Sequence, residues 1–180
     1  MSCKCFAKTP TFDLNCSFTE RLEQSKCTCR ARFVVSERKS RFEILSCTLD
    51  EIDKYKIDGY FYQDKTRKKC DYYFNFHPIG QHAISIFVEL KGNDIETAIK
   101  QLETTLEDFI HNGHINELNK VICAIVSTGY PSNDSTYRRL VKNFTVKYKR
   151  YNLAIERTKF DMRYNPKTGQ CFSKGEYCDK

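Results

Sequence analysis

Glu89 and Lys91 stand two residues apart in Ile86-Phe87-Val88-Glu89-Leu90-Lys91-Gly92, a run that is otherwise apolar up to its glycine. Alternation along a strand sends both side chains to the same face. Unpaired charge is costly to bury, so an acid and an ammonium on an apolar strand imply a ligand for them. Asp71 ends a basic loop and opens the next apolar run, which places a second acid where it can meet Glu89 across neighbouring strands. Two acids and a lysine at strand ends are the parts of a divalent-metal site for phosphodiester cleavage. Mg²⁺ prefers oxygen ligands and keeps several waters. Asp71, Glu89 and the Leu90 carbonyl are therefore the expected ligands, with Mn²⁺ as a substitute ion. Lys91 would orient the attacking water, accept its proton or neutralise the transition state. Gln101 would hold the nucleophile or a phosphate.

These residues need strands and a helix to position them. Asp71 to Phe76 and Ala83 to Lys91 read as paired strands joined by a loop with Pro78 and Gly80. Asn93-Asp94 caps a helix whose Ile95, Ala98, Ile99, Leu102, Leu106, Phe109 and Ile110 recur at three- and four-residue steps, stopping near Asn112-Gly113. Residues 121–127 form a compact apolar run, the mark of a buried strand after a crossover helix. Upstream, Ser17 and Glu20 suggest a capped helix over 18–26. Strands are expected at 32–35, 41–47 and 55–62, the last after a turn at 50–53. Residues 136–151 are basic and aromatic, and the alternation in Phe144-Thr-Val-Lys-Tyr148 predicts an edge strand. The end from Arg163 reads as a polar, poorly packed tail. The organisation is an N-terminal extension with a short helix (1–35), an α/β domain (36–160) and a C-terminal tail (161–180).

Composition bounds the alternatives. A chain of 180 residues with 40% hydrophobic and 13% aromatic residues can bury one sizeable core and is not a disordered tail. The net charge of +7 suits a polyanionic partner without requiring one. No apolar run is long enough to span a bilayer, and the N-terminus lacks a signal-peptide core, so no membrane role and a cytoplasmic setting are expected. The ten cysteines would then be free thiols. Cys3, Cys5, Cys16, Cys27 and Cys29, like Cys171 and Cys178, lack the usual zinc-finger spacing, so a structural zinc is not expected, and Cys47, Cys70 and Cys123 read as core residues.

Asp71, then Glu89-Leu90-Lys91, then a helix bearing Gln101 resembles the PD-(D/E)xK, or restriction-endonuclease-like, nuclease superfamily. Val88-Glu89-Leu90-Lys91-Gly92 followed by Ala98-x-x-Gln101-Leu102 is close to a recurring form of it in bacterial and phage-type proteins. The resemblance covers about residues 55–128. It implies an α/β fold with a mixed β-sheet flanked by helices (an αβββαβ core) and a Mg²⁺-dependent nuclease with Asp71 and Glu89 as ligands and Lys91 as catalytic lysine. Cys70 stands where the family often has proline. The further acid that the family often takes from an N-terminal helix has weak candidates in Glu20, which also reads as an ordinary helix-start acid, and Asp58, whose Asp-Gly step also reads as a turn.

The expected function is hydrolysis of nucleic acid, DNA ahead of RNA, in prokaryotic or phage defence. Arg138, Arg139, Lys147, Lys149 and Arg150 are the expected nucleic-acid contacts, although such a segment is more often a solvated face. A homodimer or partner protein would supply specificity. The alternatives are a nuclease-like module that binds nucleic acid or protein without cutting, and a zinc-stabilised adaptor.

Overall fold

The computed structural model describes residues 8–9, 11–12, 15–30, 32–46, 51–78, 82–115, 117–129, 135–165 and 170–173. Its elements run α1 (Phe18–Gln24), β1 (Lys26–Arg30), β2 (Arg32–Glu37), β3 (Ser40–Ser46), β4 (Glu51–Lys56), β5 (Tyr72–His77), β6 (Ile84–Lys91), α2 (Ile95–His111), β7 (Lys120–Ser127), α3 (Ser135–Lys147), β8 (Asn152–Arg157), β9 (Lys159–Asn165) and β10 (Gln170–Ser173). Two sheets result. The larger is mixed and six-stranded, in the order β1-β4-β5-β6-β7-β8. β4, β5 and β6 form an antiparallel meander, whereas β6, β7 and β8 run parallel. The smaller sheet has the order β10-β9-β3-β2.

The sequence of β6 dictates this layering. Seven of its eight residues are buried, as expected of a strand covered on both faces. Ile84, Ile86, Val88 and Leu90 join Phe42, Ile44, Phe74, Phe76, Met162 and Tyr164 in a core between the two sheets. Phe87 joins Leu22, Leu102, Leu106, Phe109 and Phe144 in a second core, between the large sheet and the three helices. The helices thus cover one face of the large sheet and the small sheet covers the other. Burying two apolar faces this way is the main favourable term of the fold.

α2 returns the chain from β6 to β7 and positions Gln101. Asp94 accepts the Thr97 N–H at 2.9 Å at its start, and its apolar stripe from Ile95 to Phe109 is buried. Beyond its end, Gly113 takes φ 73°, a left-handed conformation that costs glycine least.

Four expectations at the chain's periphery differ from the structure. α1 ends at Gln24, and the following residues form β1, paired with β4. The strand expected at 55–62 lies at Glu51–Lys56 instead, so residues 51–53 of the expected turn are strand, and Asp58 and Tyr62 make only an isolated bridge in the turn beyond it. The expected edge strand at 144–148 falls in and just after α3, because Phe144 and Tyr148, four residues apart, pack on one helical face with Tyr137 and Leu140. The end from Arg163 belongs partly to β9, in which Phe160, Met162 and Tyr164 alternate into the inter-sheet core. β10 pairs with β9 in turn.

Cys70 and Cys123 are buried free thiols and Cys16 is a half-buried one. Cys27 is disulfide-bonded, so the all-thiol expectation fails there. Cys3, Cys5, Cys47 and Cys178 lie outside the described residues. No described helix is long and apolar enough to cross a membrane.

Candidate active site

Asp71, Glu89, Leu90, Lys91 and Gln101 all line one pocket of about 480 Å³. The strand register explains the meeting. Tyr72 pairs with Val88, and the Asp71 N–H donates to the Val88 carbonyl at 3.1 Å, so Asp71 lies beside the end of β6. Its Oδ2 accepts the Leu90 N–H at 2.7 Å. Glu89 and Lys91 lie on the helix-side face of β6, where Phe87 also points. Lys91 Nζ donates to Gln101 Oε1 at 2.8 Å and sits 3.6 Å from Glu89 Oε1. Gln101 Nε2 in turn donates to the Lys69 carbonyl at 2.8 Å. The glutamine is therefore fixed at both ends and holds the lysine ammonium beside the acid.

The electrostatics of the two acids run against their ordinary state. Glu89 has a side-chain exposure of only 2%, and its Oε2 is buried without a hydrogen-bond partner. Burial, followed by the Asp71 charge, pushes its pKa up to about 9. The Lys91 ammonium opposes this, but at 3.6 Å it compensates for neither the lost solvation nor the orphaned oxygen. Asp71 is pushed up to about 7 by burial and by the charges of Glu37 and Asp58, against the pull of the Leu90 N–H. Two carboxyls that bind protons so readily at neutral pH sit in a site that favours added positive charge.

That property is the test of whether the residues suit a divalent cation. An orphaned buried carboxylate oxygen at Glu89, a neighbouring carboxylate at Asp71 and mutual repulsion between them form a hard oxygen donor set, which Mg²⁺ or Mn²⁺ fits. Among the described residues no group of three or more His, Cys, Asp and Glu side chains gathers at metal-binding spacing. The fit is therefore to two carboxylates, the rest of the shell being left to main-chain oxygen and water.

Two further acids line the same pocket. Asp58 is presented by the turn after β4, in which Gly59 takes φ 68°, and lies 3.9 Å from Lys69 Nζ. Glu37 comes from the end of β2, in the other sheet, and sequence reasoning missed it. The structure joins the β2–β3 hairpin to the end of β6 by a hydrogen bond from Ser40 Oγ to the Lys91 carbonyl at 3.2 Å. No local pattern announces a contact between residues so far apart in the chain.

Glu20 does not reach the site. Its carboxylate accepts the Ser17 N–H at 2.8 Å while Ser17 Oγ accepts the Glu20 N–H, a capping box that uses the acid at the start of α1. None of the basic segment lines the pocket. Lys147 is occupied by Glu107 at 2.8 Å and Glu103 at 3.4 Å, and Arg150 by Glu117 at 3.5 Å. Arg138, Arg139 and Lys149 are exposed on and after α3. His77 pairs with Asp53 at 3.2 Å and His82 is exposed, so neither joins the acids.

No protein-family model, curated protein or solved structure matches the chain.

Proposed function

We propose that this protein is a metal-dependent phosphodiesterase acting on nucleic acid, DNA ahead of RNA. One observation carries the reading: the Asp71 and Glu89 carboxyls and the Lys91 ammonium line one pocket, with a buried Glu89 oxygen that no protein donor satisfies. Asp71 and Glu89 would hold Mg²⁺, with the Leu90 carbonyl as a further oxygen. When bound, that ion would polarise the phosphoryl group and activate water. Lys91 places its ammonium at the mouth of the acid pair, where it stabilises charge developing on the phosphoryl oxygens. Gln101 orients Lys91 by accepting its hydrogen bond at a fixed distance, an arrangement that needs no reorganisation during the reaction. The ordered series Asp71, Glu89, Lys91 and Gln101 also supports the resemblance to the PD-(D/E)xK nucleases. A defence role would follow from that resemblance alone.

The test is a cleavage assay on single- and double-stranded DNA and on RNA with Mg²⁺ and with Mn²⁺, comparing the native chain with Glu89→Ala and Lys91→Ala. The native protein should cut at least one substrate, and both variants should be at least about 100-fold slower. An inactive native chain, or variants that cut as fast as the native chain, would overturn this reading of the site.

A further inference from the structure

Arg38 and Lys39 form the tip of the β2–β3 hairpin and line the pocket beside Glu89 and Lys91. Both are exposed, and neither makes an ion pair among the described residues. Their neighbours in the same hairpin behave differently: Arg32 and Arg41 are both taken up by Glu43, at 2.8 and 2.5 Å. The hairpin therefore engages two of its cations internally, through one shared acid, and leaves two at the rim of the acidic pocket.

The tip is also held in place. Arg38 takes φ 50°, a conformation uncommon for a residue with a side chain. The buried Ser40 fastens the returning strand to the Lys91 carbonyl. The cations thus ride on an element hydrogen-bonded to the strand that carries the two central site residues.

We propose that Arg38 and Lys39 are the nucleic-acid clamp of this protein, contacting backbone phosphates that flank the one presented to Asp71, Glu89 and Lys91. The inference rests on the phosphodiesterase reading and names the surface that delivers its substrate. The argument is one of charge. Glu37, Asp58, Asp71 and Glu89 face the pocket with Lys91 as the cation among them, and every one of these acids that is ionised repels a polyanion. Cations at the rim must offset that repulsion, and Arg38 and Lys39 are the ones that line the pocket there. The α3 segment carries more basic residues, but Lys147 and Arg150 are engaged by acids and none of the segment lines the pocket. Contacts of this kind position a substrate without reading its sequence.

The experiment measures binding of a fluorescently labelled oligonucleotide, single- and double-stranded DNA and RNA in turn, by polarisation in Ca²⁺ at several salt concentrations. It compares the full-length native chain, Arg38→Ala/Lys39→Ala and Arg138→Ala/Lys149→Ala. Both pairs are exposed and make no ion pair among the described residues, and thermal melts of each variant check that the fold is kept. The hairpin variant should bind about tenfold or more weakly. On double-stranded DNA its slope of log affinity against log salt should fall by about 1.8, or about 0.9 for each phosphate that is no longer neutralised, and on single strands by about 1.4. The α3 variant should stay within about twofold of the native chain. If the α3 variant loses affinity and the hairpin variant does not, the clamp lies on α3 and the inference is wrong. If the native chain cuts but the hairpin variant binds with unchanged affinity and slope, the clamp falls while the nuclease reading stands. If the native chain neither binds nor cuts any of the three, both fall.

Discussion

Among the described residues two glutamates are buried in strands, and they differ in how their carboxylate oxygens are satisfied. Glu43, on β3 of the small sheet, has a side-chain exposure of 5% and accepts from two guanidiniums, Arg32 at 2.8 Å and Arg41 at 2.5 Å. Glu89, on β6 of the large sheet, is as deeply buried but has one ammonium at 3.6 Å, another carboxylate beside it and an oxygen with no partner. The first carboxylate is satisfied: both of its oxygens accept from guanidiniums, the condition under which a buried carboxylate is tolerated. The second is complete only when something else arrives. The same residue type in the same kind of element thus separates a structural ion cluster from a site with room for a ligand.

Neutralising each glutamate in turn breaks the comparison most sharply. Glu89→Gln should slow cleavage by roughly 100-fold or more, measured as kcat/KM on the preferred oligonucleotide, because it removes a ligand charge while keeping the side chain's volume. Glu43→Gln should leave the rate within about twofold at a temperature where both variants remain folded. Equal losses would mean that the Glu89 environment has no special chemical role.

Stability should respond with opposite signs. The folded-state pKa values of Asp71 and Glu89, about 7 and about 9, lie above the ordinary 3.8 and 4.5. Between roughly pH 4 and pH 9 the folded protein therefore holds more protons than the unfolded chain, and without divalent metal its stability falls as pH rises through that window. Glu89→Gln removes part of this slope and should raise stability at pH 8 by on the order of 2 kcal/mol in urea unfolding. Glu43→Gln should lower it by about 1 kcal/mol, a modest loss because Arg32 and Arg41 are both substantially exposed. A flat melting temperature from pH 5 to pH 9 in the metal-free native protein would overturn the electrostatic account.

Adding the cation should reverse the penalty at one glutamate only. At ten times its Kd, Mg²⁺ should stabilise the native chain by roughly 1.4 kcal/mol at pH 8. The gain should persist in Glu43→Gln and vanish in Glu89→Gln. Thermal melts across a Mg²⁺ titration would show this whether or not the protein is active.

Why one glutamate was legible in the sequence and the other's setting was not follows from the range of the interactions. Glu89 sits in an apolar run next to a lysine and before a capped, strongly periodic helix, so β6, α2 and β7 could be placed from local pattern alone. The pairing of Asp71 with the end of β6 follows from two strands joined by a short loop. Glu37 and the Arg38–Lys39 tip reach the same pocket through a contact between sheets, made by Ser40 and Lys91. Neither β2 nor β3 carries a local mark of that docking. At α3, the alternation of Phe144, Val146 and Tyr148 is compatible with a strand, but the helical spacing of Tyr137, Leu140, Phe144 and Tyr148 matches the buried face, and tertiary packing decided between them. In β9, Phe160, Met162 and Tyr164 form a clear alternation that charged neighbours obscured.

The smallest effect expected concerns the cations. Arg41→Ala should cost under about 1 kcal/mol at any pH from 5 to 9, since Arg32 still pairs with Glu43 and both arginine side chains are substantially exposed. Lys91→Ala should instead have a pH-dependent cost in the metal-free protein. At pH 5 both site acids hold protons, so the ammonium has little charge to compensate and its removal should change stability by less than about 1 kcal/mol, mostly the lost bond to Gln101. Toward pH 9 the acids ionise, and without Lys91 they face each other uncompensated, so the variant should fall progressively below the native chain. Urea unfolding of both variants at the two pH values measures the difference. A Lys91→Ala cost that is constant with pH would mean that the ammonium is held by Gln101 alone and not by the acid pair, and the distinction between the two glutamates would then lie in burial and not in charge.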